Sequence, residues 1–88
     1  MTYDDLRDTP IRDREVTSYD RAHLLAYVRL LDAAAARADW REAAALVLGL
    51  DVVAAPERAR RIHDVHLARA RWMARKGYRH LLGSSRET

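Results

Sequence analysis

The chain has no cysteine and no phenylalanine, and Lys76 is its one lysine. Without cysteine there is neither a disulfide framework nor a thiolate metal site, which points to a reducing, cytoplasmic setting. Glycine occurs three times and proline twice in 88 residues. So few turn formers, with abundant alanine and leucine and few β-branched residues, exclude a strand-rich architecture and favour an all-helical one. Long apolar runs are missing too. The longest, "AAALVLGL" at 43–50, is far too short to cross a bilayer, so no membrane association is expected. There is no glycine-rich phosphate loop and no serine or cysteine set out as a nucleophile, and a chain this short has little volume to enclose a cleft. No catalysis, no cofactor and no small-molecule substrate are expected.

What is present is charge, sorted by sign. Residues 1–51 carry seven arginines against ten acidic residues, and residues 52–88 carry nine cations against three acids, within a net charge of +3. Residues 1–16, "MTYDDLRDTPIRDREV", mix signs and show no apolar period, so they read as a flexible arm before one domain at 17–82. Residues 83–88 read as a flexible tail.

The domain reads as a compact three-helix helix-turn-helix variant. Thr17 stands three residues before Asp20, the spacing of a capping box, and opens a helix over 19–37. Leu24, Tyr27, Val28, Leu31 and Ala35 form its inner stripe, while Ala26, Leu30 and Ala33 make a second apolar side that one small core does not require. Asp39 and Glu42 cap a short helix over 40–48, closed by Gly49, with Trp40 stapling its first turn. Pro56 suits the first position of a long third helix over 56–76, with Ile62, Val65, Trp72 and Met73 as its core stripe and Gly77 as its stop. The connection between the second and third helices is six or seven residues, longer than an ordinary helix-turn-helix turn. A short C-terminal helical turn would fold Tyr78, Leu81 and Leu82 back onto the core.

On a helical wheel the outer face of the third helix presents Arg60, His63, Asp64, Leu67, Arg71 and Arg75. Arg60, His63, Arg71 and Arg75 are the residue types that neutralise phosphate and read base edges, so they are the candidate nucleic-acid contacts. Asp64 in the middle of that face and Glu57 in the first turn oppose DNA, because a carboxylate near a phosphate is repelled by roughly 1 kcal/mol at surface dielectric. His63 and His66, one turn apart, lack the third ligand that a zinc site needs, so no metal is expected.

The stretch "RARRIHDVHLARARWMARKGYRHLL", 58–82, resembles the closing signature of a regulatory family known as domain of unknown function 2285. "YDRAHLLAYVRLLDAAAARADWREAAALVLG", 19–49, is similar to the two helices before it. The resemblance implies an extended-turn helix-turn-helix fold and a role in controlling the conjugative transfer of mobile elements. Members fused to an upstream regulatory domain bind DNA with one side. Free-standing members occupy a transcriptional activator's upstream domain and block it. Beginning at Met1 with one domain, the chain resembles the free-standing kind, so an antiactivator bound to an activator protein is expected, with direct DNA binding weak and the alternative. By the same analogy the partner lies opposite the basic helix, on Ala26, Leu30 and Ala33.

Overall fold

A computed structural model describes residues 6–76, and among these every regular element is a helix. There are four of them: α1 Ser18–Ala22, α2 Leu24–Ala35, α3 Trp40–Leu48 and α4 Pro56–Arg75. The all-helical expectation holds. The helix expected over 19–37 is instead two, because the His23 ring donates from Nδ1 to the Tyr19 carbonyl, at 2.7 Å, that the His23 amide would otherwise use. That amide bonds to the Asp20 carbonyl one residue later, and the backbone leaves helical geometry at φ −116°, ψ 20°.

The capping signals act as read at Thr17, Asp20, Asp39 and Gly49. Thr17 and Asp20 form the reciprocal capping box of α1. Asp39 accepts from the Arg41 amide at the start of α3, and Gly49 ends that helix in the left-handed conformation at φ 69°. The connection to α4 is organised by Asp51, whose side chain accepts from the amides of Val53 and Ala54, and Pro56 occupies the first turn of α4. Arg37, at the end of α2, takes a positive φ of 59° where glycine would be free of steric cost. Gly77, the turn at 78–82 and the tail fall outside the described residues.

α2 packs against both α3 and α4, and those two pack against each other. Its two apolar sides feed two clusters. Ala26 and Leu30 join Ala43, Leu48 and Ile62 in the first; Tyr27 joins Ala70 and Met73 in the second. Residues 6–16, expected as an arm with little to hold it, also contribute. Leu6 packs on the first cluster, Val16 packs on the second, and Arg61 reaches Asp8 at 3.8 Å.

Candidate functional site

The face proposed for the partner is not on the surface. Ala26 and Leu30 are each 1% exposed, and Ala33 is half-buried against the same cluster. The second apolar side of α2 is covered from within the molecule, because α3 lays Ala43 and Leu48 on it and α4 adds Ile62. Ala26, Leu30 and Ala33 are therefore core residues, and the reading of them as an uncovered docking strip is corrected. Among the described residues, the large apolar side chains that stand in solvent are Leu25, Leu46 and Val53, on separate elements.

Of the candidate nucleic-acid contacts, Arg60, Arg71 and Arg75 lie exposed on α4 as expected. His63 does not join them. It is buried, its ring lies 6.0 Å from that of Trp40, and its Nδ1 donates to Asp64 at 2.8 Å. Leu67 likewise turns half inward, onto the first cluster. A wheel set on the face away from Ile62 and Trp72 puts both outside, because Trp72 is only half-buried and lies at the edge of the buried stripe. The buried stripe runs instead through Ala59, Ile62, His63, His66, Arg69, Ala70 and Met73.

Arg60 is engaged as well, bonding Asp64 at 3.1 Å with its guanidinium 4.9 Å over the Trp40 ring. Burial pushes the Asp64 carboxyl up, but hydrogen bonds from His63 and Arg60 outweigh it and hold the group below its ordinary value. No group of three or more potential metal ligands gathers among the described residues. His63 and His66 have other partners.

The interior holds a polar assembly whose centre the sequence reading passed over. Arg69, 3% exposed, donates from Nε and Nη2 to the two carboxylate oxygens of Asp20, at 3.0 and 2.8 Å. Its Nη1 donates to the Asp13 carbonyl and its Nη2 to the Glu15 carbonyl. Asp20, fully buried, also accepts from Tyr27 and from the Thr17 amide. Burial works against the Asp20 charge, yet Arg69 and the other donors prevail and lower its pKa to about 2. Burial, reinforced by the adjacent carboxylate, drives the Tyr27 phenol far up, so it stays a donor. One position of α1 thus caps a helix and neutralises a cation 49 residues later. A sequence signal existed, since Arg69 falls seven residues after Ile62 and four before Met73, on the core stripe.

A second chain of hydrogen bonds runs beside it. The Arg7 amide donates to the Tyr19 hydroxyl, which meets Nε2 of His66, and Nδ1 of His66 meets the Ile62 carbonyl at 2.7 Å. A carbonyl only accepts, so Nδ1 carries the proton and Nε2 accepts from Tyr19. Burial lowers the His66 pKa and keeps the ring neutral. The two chains together fasten residues 7–15 along α4.

Between that segment and α4 lies a groove of about 380 Å³, with Pro10, Ile11, Val65, Ala68 and Trp72 in its walls. Arg12, Asp13 and Arg14 edge it on one side and Asp64 and Arg69 on the other. Compared with known protein families, with curated proteins and with solved structures, the chain matches none.

Proposed function

We propose that this protein is a non-catalytic regulatory module that acts by binding another protein, an antiactivator that occupies a transcriptional activator, as the family resemblance implies. The observation that supports protein over DNA is the state of the first turns of α4. There Arg60 is tied to Asp64 and Arg61 to Asp8, so carboxylates stand where a recognition helix would approach phosphates. These exposed pairs contribute little to stability, on the order of 0.2–1 kcal/mol each. Their electrostatic effect on a polyanion is larger, because each carboxylate cancels a cation that counterion release would otherwise reward. No described helix is long and apolar enough to cross a membrane.

The test pairs affinity purification from the source cells with a reporter driven by the activator that co-purifies. The expected result is a saturable complex and a silenced promoter, with negligible mobility shift of promoter DNA at physiological salt. Direct DNA binding is the second reading. It draws support from Arg58, Arg71 and Arg75, exposed and in no ion pair among the described residues. It predicts a DNA affinity that falls by about one logarithmic unit per tenfold salt for each phosphate contacted. A steep slope of that kind, with the activator left unbound, would replace the first reading by the second.

A further inference from the structure

The groove between residues 10–14 and α4 is lined in part by Trp72, which also packs on the second core cluster, and by Asp13 and Arg69 of the polar assembly beneath it. We propose that it is the docking site for an acidic, amphipathic peptide segment of the partner. One large apolar side chain of that segment sits against Ile11, Val65 and Trp72, and its carboxylates face Arg12 and Arg14. This rests on the protein-binding reading above and adds where on the chain the partner is held.

The floor and the size set the first requirement. A volume of about 380 Å³ lies at the lower end of pockets that bury a ligand, and its apolar walls favour an apolar anchor over a phosphate or a sugar. Ala68, exposed and small, leaves open the space that a longer side chain would fill.

Charge sets the second. Arg12 and Arg14 are exposed at the edge of the groove and enter no ion pair among the described residues. Of the carboxylates on the same walls, Asp64 is bound by Arg60 and His63, which leaves Asp13 as the one local opponent. Along the exposed face of α4, Arg71 and Arg75 follow within the next two turns and extend the positive surface beyond the groove. Such a border attracts acidic sequence and repels basic sequence.

The third argument is a donor count. A guanidinium has five N–H groups. Four of those on Arg69 are used, by Asp20 twice, Asp13 and Glu15, and the fifth, on Nη1, meets no acceptor among the described residues. Arg69 lines the groove with its guanidinium 3.9 Å over the Trp72 ring, so this donor lies beside the ring that the apolar anchor meets.

The experiment follows the two indole N–H signals of the full-length 15N-labelled chain, Trp40 and Trp72 being its only tryptophans. The probes are a short synthetic peptide of leucines among aspartates and glutamates and its counterpart with lysines instead. The acidic peptide should shift the Trp72 signal saturably and leave Trp40 in place, and the lysine peptide should bind at least tenfold more weakly. Ala68→Phe, which fills the groove from an exposed position, should abolish the shift. Arg12→Glu with Arg14→Glu should weaken it about tenfold while leaving the circular dichroism spectrum unchanged. Equal binding of both peptides, shifts centred on Leu46 or Val53, or a concentration-dependent dimer seated on Trp72 would each overturn the proposal. An Ala68→Phe protein that loses the peptide but still silences the reporter would remove the groove as the effector site and leave the antiactivator reading intact. A wild-type protein that binds the peptide but never silences the reporter would do the reverse.

Discussion

Arg69 and Asp20 form a buried ion pair that also holds main chain, and its energetics follow from what each partner leaves behind when removed. A guanidinium this enclosed is tolerable only because four acceptors surround it, two of them carboxylate oxygens. Removing one partner strands the other's charge in the interior, a cost of about 3–5 kcal/mol. Arg69→Met should therefore lower the unfolding free energy by about that amount in urea titration. It should also speed tryptic cleavage after Arg12 and Arg14, since the carbonyls of Asp13 and Glu15 lose their donor. Cleavage at the wild-type rate would show that Arg69 does not hold residues 13–15 in place. The opposite sign applies at Arg37, whose positive φ costs a non-glycine residue about 1–2 kcal/mol. Arg37→Gly relieves that strain but adds backbone entropy to the unfolded chain, so a net stabilisation of about 0.5–1 kcal/mol is expected, read as a higher Tm.

At the scale of elements, α2 is the helix on which the rest depends, because both of its apolar sides are spent internally. Leu30→Glu would place a charge where Leu30 is 1% exposed, among Ala43, Leu48 and Ile62. Truncating such a leucine to alanine alone costs about 2–5 kcal/mol, and a chain this small has little more than that in reserve. The variant should lose most of its helical dichroism at 25 °C. An intact helical spectrum would mean that Leu30 is not a core residue after all. Much of the element pattern was legible, since Thr17 and Asp39 mark helix starts through local side-chain hydrogen bonds, Gly49 marks an end by its left-handed backbone, and Pro56 fits a first turn where no amide is needed. The break at His23 was not, because it depends on a ring taking a carbonyl in competition with the backbone. The stripe of α4 was misplaced by its polar members. His66 and Arg69 interrupt the apolar period that identifies an inner face, and only partners at Tyr19 and Asp20, far away in sequence, make their burial tolerable. The site suffered most, because the surplus of Ala26, Leu30 and Ala33 looked uncovered until α3 and α4 were both counted against one helix.

For the whole molecule, the sorting of charge along the sequence becomes pairing across the fold. The acidic first half reaches the basic second half through Asp20 to Arg69 in the interior and Asp8 to Arg61 at the surface. The surface pair is screened by salt and contributes little, so pH rather than ionic strength should govern stability. Asp20, Asp64 and His66 all have lowered pKa values, and the two that are fully buried, His66 and Asp20, set the windows, with exposed Asp64 adding to the acid one. His66 is neutral in the folded chain below the pH at which an unfolded histidine, at 6.5, takes up its proton. The unfolded state thus binds more protons, and stability present above pH 6.5 is lost as pH falls toward the lowered value. Asp20 acts later and in the same direction. Its folded pKa of about 2 against an ordinary 3.8 gives a contribution of about 2 kcal/mol, complete above pH 3.8 and lost as pH falls through 2. Urea midpoints taken from pH 7.5 downward should accordingly decline in two stages. His66→Gln, which keeps a donor and an acceptor without the titration, should flatten the first stage and leave the second. A first stage of undiminished depth in that variant would mean that another group, and not the buried imidazole under Tyr19, takes up the proton.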